Sequence, residues 1–229
     1  MKLRDGSESL DPRLGRIKWH DPRSKLHPVS HTMTIGLKPR SYSWRCTTWL
    51  DQGQEGSCVG HGVAHELAAR PVEERVTHEQ AVAIYHAAQK IDEWPGEAYE
   101  GTSVTAGVKV AQKQGHFKSY TWAYNLNDLA LGVGYSGPAV LGIDWYQGMM
   151  DVDDDGYIRD SGSVVGGHCI LCMAVDVKQS RFTLHNSWGK SWGRNGRAYV
   201  SFDVMANLIG KGGEACFFHQ RKWWAVVRA

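Results

Sequence analysis

A chain of 229 residues that is 42% hydrophobic, 10% aromatic and 22% charged can bury one larger core or two packed lobes, which excludes a disordered or collagen-like polymer. No apolar run approaches the roughly 20 residues of a membrane span, and the charged start (Lys2, Arg4, Asp5, Glu8) lacks the apolar centre of a signal peptide. The chain therefore reads as soluble and unexported by the usual route, in the cytoplasm or another reducing compartment. The net charge of +2 hides an asymmetry: residues 1–50 hold ten Lys/Arg against four Asp/Glu, leaving 16 against 20 in the remainder, a head of +6 on a body of −4.

Residues 1–45 carry charge, histidine and Pro12, Pro22, Pro28 and Pro39 without apolar periodicity, so they read as a basic extended arm. Its charges are dispersed, which favours a solvated arm over a nucleic-acid or membrane contact. From Ser57 to about Ala69 small and apolar residues predict a helix stopped by Pro71. Thr77 to Lys90 predicts a second, with Thr77 as N-cap, and Val104 to Gln114 a third, capped by Thr102 or Ser103 and ended by Gly115. After about residue 135 the pattern changes to short apolar runs between Gly-rich turns, which predicts strands at 139–144, 168–177, 181–186, 197–202, 216–218 and 223–227. A helical half followed by an antiparallel half predicts an α+β protein of two lobes with a cleft between them.

The five cysteines, Cys46, Cys58, Cys169, Cys172 and Cys216, are odd in number and irregular in spacing, which argues against a disulfide framework. Cys169 and Cys172 form a lone CxxC in an apolar run. A strand puts positions three apart on opposite faces, and no second ligand pair accompanies them, so they read as buried structural residues rather than a zinc site.

Chemistry concentrates elsewhere. In Asp51-Gln52-Gly53-Gln54-Glu55-Gly56-Ser57-Cys58, glycines lead to a thiol at the start of an apolar helix, where free backbone N–H groups favour the thiolate and lower the thiol pKa. Taken alone, Cys58 reads equally as a small buried hydrophobe. Gly166-Gly167-His168 then sets an imidazole at a strand start, and Asn186-Ser187-Trp188-Gly189 supplies an amide before a Trp- and Gly-rich turn. A thiol nucleophile needs a base, and the base needs a partner that fixes its tautomer. Cys58, His168 and Asn186 supply these parts in that order, and Gln52 can turn its amide toward a developing oxyanion.

These segments resemble papain-like cysteine peptidases. The pattern is Gln52, Gly56-Ser57-Cys58, Gly167-His168, Asn186 to Gly189, Trp192-Gly193 and Asn195-Gly196. Weaker similarity extends from about residue 41 to 200. The resemblance implies a papain-like two-lobe fold, with a helical lobe at about 55–120 and a β lobe at about 121–229 of one catalytic domain, 46–229. It implies Cys58 as nucleophile, His168 as acid and base, Asn186 as its orienter, and Gln52 with the Cys58 N–H as oxyanion hole. Trp188 would shield the His–Asn bond, and Gly101, Gly167 and Trp188 would line the substrate. A peptide or protein substrate and no cofactor are implied. The rivals are a peptidoglycan-peptide amidase, an acyl transferase, and a non-catalytic adaptor on the same fold.

The departures carry expectations too. Glu55 and Val59 stand where the family signature has Cys and Trp or Tyr, which removes a disulfide typical of secreted members. His168 follows Cys58 sooner than the usual spacing of about 130 to 150 residues, which suggests a trimmed strand-rich lobe. The 57 residues before Cys58 are fewer than the family's long inhibitory prosegment. The arm is accordingly expected to brace the lobes rather than lie in the cleft. His61 and His65 stand i, i+4 but do not match a zinc motif, and read as helix-face histidines. Asp151 to Gly162 begins like a calcium loop but has Gly162 where the bidentate Glu should be, and reads as an acidic turn with weak Ca²⁺ binding as the alternative.

Overall fold

The computed structural model describes residues 1–221. The second helix signal is the most legible: in α2 (His78–Gln89) the Thr77 hydroxyl accepts from the Gln80 N–H while the Gln80 side chain accepts from the Thr77 N–H, a reciprocal cap. Ser103 caps α3 (Val104–Lys113) by accepting from the Ala106 N–H. Ahead of both in the chain comes α1 (Cys58–Ala68), buried along its whole length. It can sit so deep because its glycines admit neighbours: a Cβ on Gly62 would stand 2.7 Å from Cys169 Sγ. These three helices share one apolar cluster, with Val59, Val63, Leu67, Ile84, Val104 and Val108 fully or almost fully buried.

The second half builds a seven-stranded sheet. Its order is β4 (Ser119–Ala123), β9 (Glu214–His219), β5 (Ala139–Tyr146), β6 (Val164–Asp176), β7 (Arg181–His185) and β8 (Arg197–Ser201), with β2 (Tyr42–Ser43) on β6, and every pairing is antiparallel. The long central strand β6 pairs Ile143 with His168 and Leu171 with His185. A second cluster, including Leu141, Ile143, Trp145, Phe182, Leu184, Val200 and Phe217, fills the sheet side. The seam between the two clusters is where α1 meets β6.

Two helices escaped the sequence reading. The helix α4 (Leu126–Tyr135), capped by Asn125, lies where no element was predicted, and α5 (Phe202–Gly210), capped by Ser201, begins at the last residue of the strand predicted at 197–202. In α5, Phe202, Met205, Leu208 and Ile209 form a helical stripe, but the preceding apolar run of β8 leads directly into it and masks the change of period. The run 223–227, predicted as a strand, lies outside the described residues.

The arm is not a free extended tail. Residues 16–17 form β1 (Arg16–Ile17), which pairs in parallel with β3 (Thr102–Ser103). Leu3, Leu14 and Ile17 are buried in the body. The Arg4 guanidinium is enclosed by Asp92 at 3.0 Å and by the carbonyls of Gln89, Trp94 and Glu97.

Candidate active site

Cys58 is the first residue of α1. Its cap residue, Ser57, makes no side-chain capping bond, so backbone donors at this helix end remain uncommitted by a cap. The backbone N–H groups of Cys169, Gly15 and Arg16 face the Cys58 thiol, which sets the sulfur beside the residue that follows His168 in β6.

His168 and Asn186 meet at 2.7 Å, imidazole Nε2 to carboxamide Oδ1. The Ser187 N–H donates to the same Oδ1 at 2.8 Å, so that atom is an acceptor and the imidazole must present an N–H to it. This fixes the proton on Nε2 and leaves Nδ1 as the free basic nitrogen; Nδ1 has no hydrogen-bond partner. The indole of Trp188 lies 5.0 Å from the imidazole, centroid to centroid, and Trp145 packs edge-on at 4.7 Å. Two tryptophans thus flank the imidazole of the His–Asn pair.

Gln52 is drawn to this group by backbone pairing, since its N–H donates to the Ser187 carbonyl at 2.9 Å and Asp51 bridges to Trp188. Its Oε1 accepts from the Ser187 hydroxyl at 2.7 Å, which aims Nε2 the other way. The Nε2 group donates to the carbonyls of Glu55, at 2.7 Å, and Arg13, at 3.0 Å. Of the predicted residues, Asn186 bonds His168 directly and Gln52 joins them through Ser187, while Cys58 meets the backbone of Cys169, the residue after His168; Gly167 and Trp188 adjoin His168, and Gly101 packs against Gly15.

What the sequence did not reveal is the occupant of the cleft. Arm residues 13–16 lie between Gly101 and Gly167. Gly15 bridges to Gly167, and its carbonyl accepts from the Thr102 N–H at 3.0 Å. The approach is close enough that a Cβ on Gly15 would overlap the Gly56 carbonyl, and one on Gly167 the Arg16 carbonyl. The Arg13 guanidinium stacks 4.0 Å over Trp188. Cys58, His168 and Asn186 have no exposure at all. This corrects the expected brace: the basic arm does dock on the acidic body, but through the cleft. No sequence periodicity marks residues 13–16 for this; the one available cue is the bare Gly15 between Leu14 and Arg16.

The cover also reverses the expected electrostatics. Burial pushes the Cys58 thiol up to about 11, outweighing the backbone N–H groups that would lower it. Burial holds His168 down to about 4, against the raising effect of the Asn186 bond. Thiol and imidazole are both neutral while the arm is in place.

The remaining candidates resolve simply. The His61 and His78 imidazoles hydrogen-bond each other at 3.1 Å, and His65 Nε2 accepts from the Leu50 N–H. Asp153 closes the acidic turn by accepting from the backbone of Asp155 and Tyr157 and pairing with Arg159. Among the described residues no group of three or more His, Cys, Asp or Glu is arranged to hold a metal ion. All five cysteines are unpaired and buried. Among the described residues no helix is long and apolar enough to cross a membrane.

Comparison with known proteins gives the fold its place. No family model matches the chain. The structure of xylellain, a cysteine protease from Xylella fastidiosa, superposes with a TM-score of 0.70 at 16% identity, over 94% of this chain and 99% of that one. A procathepsin B from Trypanosoma congolense gives 0.63 at 13% identity over 92% and 87% of the two chains, and a digestive procathepsin L2 from Tenebrio molitor gives 0.56 at 18% over 90% and 78%. In sequence, an uncharacterized peptidase C1-like protein of Acanthamoeba polyphaga mimivirus is 22% identical over 69% of this chain; the chain spans 65% of that relative's length. The fold is the papain-like one: a helical lobe and an antiparallel sheet lobe, as the resemblance implied.

Proposed function

We propose that this chain is a cysteine peptidase that cleaves peptide bonds with Cys58, His168, Asn186 and Gln52, and that the described state is its closed form. The observation that carries the reading is the His168–Asn186 bond: it fixes the proton on Nε2 and leaves Nδ1 without a partner, one residue before Cys169, whose backbone N–H meets the Cys58 thiol.

The chemistry follows from these atoms. With the arm displaced, water and substrate reach the site, the desolvation that neutralises both groups is relieved, and the Cys58 proton passes to His168 Nδ1. The sulfur attacks the substrate carbonyl carbon, and the oxygen takes the negative charge. Gln52 Nε2 and the Cys58 N–H at the helix start donate to that oxygen. The Arg13 carbonyl on Gln52 Nε2 is a ground-state stand-in for it. His168 Nδ1–H then protonates the leaving amine as the C–N bond breaks, giving a thioester. Water, losing its proton to Nδ1, attacks the thioester and releases the acid and the thiolate. Asn186 keeps the imidazole in one orientation through both proton transfers without exchanging a proton itself.

The test is hydrolysis of fluorogenic peptides by the full chain carrying Gly15→Ala, which crowds the arm against Gly56. Hydrolysis lost in Cys58→Ala and in His168→Ala supports the reading. Peptide turnover that survives Cys58→Ala contradicts it, and products that are mainly acyl-amine adducts would assign a transferase instead.

A further inference from the structure

The residue next to Gly15 does something the occlusion itself does not need. Arg16 turns its whole side chain into the wall of the cleft, where neither it nor Glu214 retains any side-chain exposure. Arg16 Nη2 donates to Glu214 Oε1 at 3.0 Å and to the Gly212 carbonyl at 3.0 Å, and Nη1 reaches Asp144 at 3.4 Å. The floor is Gly142, where a Cβ would come within 3.0 Å of Arg16 Nε and 3.1 Å of Glu214 Oε1; only a bare backbone leaves room for a guanidinium. Glu214 Oε2 has no hydrogen-bond partner, with His20 Nε2 as the basic group 3.3 Å away.

As a mere anchor this is poor design. Removing two charges from water is costly, and an apolar residue of the same size would hold the arm as well or better. The pocket also belongs to the body rather than to the arm: Glu214 opens β9, Asp144 and Gly142 lie on β5, and the backbone that delivers Arg16 pairs with Thr102 beside the thiol. When the arm leaves, a buried carboxylate and its neighbour Asp144 face the emptied cleft without a cation.

We propose that this pocket is the specificity site of the cleft and takes an arginine side chain of the peptide substrate, with Arg16 filling it as the chain's own substrate-like ligand. The inference rests on the peptidase reading for its substrate, but its binding chemistry stands apart from turnover. The acceptors, Glu214 Oε1, the Gly212 carbonyl and Asp144 Oδ1, match the spread donors of a planar guanidinium, which a lysine ammonium spans less well.

Full-length chain carrying Gly15→Ala, Arg16→Ala and Cys58→Ala has a lifted arm, an empty pocket and no nucleophile. A fluorescent peptide of residues 11–20 and its Arg16→Leu counterpart are titrated against it by polarisation. The Arg peptide is expected to bind about tenfold more tightly or better, and Glu214→Gln to erase the difference. Asp144→Asn, at a partly exposed carboxylate, should narrow it by a smaller factor and serves as the second variant if Glu214→Gln fails to fold. Equal affinities, binding of neither peptide, a difference that survives in well-folded Glu214→Gln, or one left undiminished by Asp144→Asn would overturn the proposal. In the Cys58-intact chain, hydrolysis should favour Arg over Leu near the scissile bond. Selective binding without any hydrolysis would leave the pocket standing and sink the peptidase reading, whereas hydrolysis without selectivity would do the reverse.

Discussion

The side-chain amide of Gln52 holds the main-chain carbonyl of Arg13 at 3.0 Å. One hydrogen bond thus joins the residue proposed to stabilise an oxyanion to the arm segment that lies over the buried Cys58, His168 and Asn186.

Side-chain roles in the proposed mechanism differ in kind, so their losses should be graded. In the Gly15→Ala background, His168→Ala should abolish turnover because no other group carries the proton. Gln52→Ala should lower kcat by roughly 10² to 10³ if its amide acts only on the developing charge. Asn186→Ala should be milder than His168→Ala. A Gln52→Ala chain with raised KM and unchanged kcat would remove Gln52 from the oxyanion hole.

Acid should destabilise the fold. Burial holds His20, His61, His168 and His185 down to about 4 and His65 well below its usual range. Their folded pKa values are depressed, so their contribution is whole above about 6.5 and is lost as pH falls toward 4, because the unfolded chain binds protons that the folded chain refuses. Glu66 and Glu214, pushed up by burial to about 7, work in the opposite sense: their contribution is whole below about 4.5 and lost as pH rises through 7. Five imidazoles outweigh two carboxyls, so the melting temperature should fall between about pH 7 and pH 5. A rise over that interval would show that the carboxyls dominate.

The acidic turn should be indifferent to calcium. Both Asp153 oxygens are engaged, Oδ1 by the N–H groups of Asp155 and Tyr157 and Oδ2 by Arg159. Chelator should leave the melting temperature unchanged, and Asp153→Ala should lower it slightly through the lost turn bonds. Stabilisation by added Ca²⁺, lost in that variant, would contradict this.

How much of this was legible in the sequence depended on the range of the interaction. Gln52, Cys58, His168 and Asn186 sit in short segments whose glycines, helix start and strand start are local features, and the capping pair Thr77 and Gln80 is local as well. The destination of the arm is not. Its dispersed charges read as a solvated arm, yet Arg4 pairs with Asp92 and Lys18 with Asp144. The docking place is set by the fit of Gly15 against Gly56 and of Arg16 into Glu214, pairs separated by 41 and 198 residues, which no periodicity encodes. The thiol pKa was misjudged for the same reason: a helix start lowers it, and only the arm, invisible to local reading, buries it.

The central claim is that residues 13–16 cover a reactive thiol, and alkylation of Cys58 tests it most directly. Iodoacetamide labelling at neutral pH, mapped by mass spectrometry, is compared between the native chain and Gly15→Ala. Overpacking of about 1–3 kcal/mol at Gly15 should raise the lifted-arm population, and with it the Cys58 labelling rate, by about 5- to 150-fold, while Cys169 and Cys216 stay unlabelled. Equal rates in the two chains, or labelling spread evenly over the five cysteines, would contradict the account.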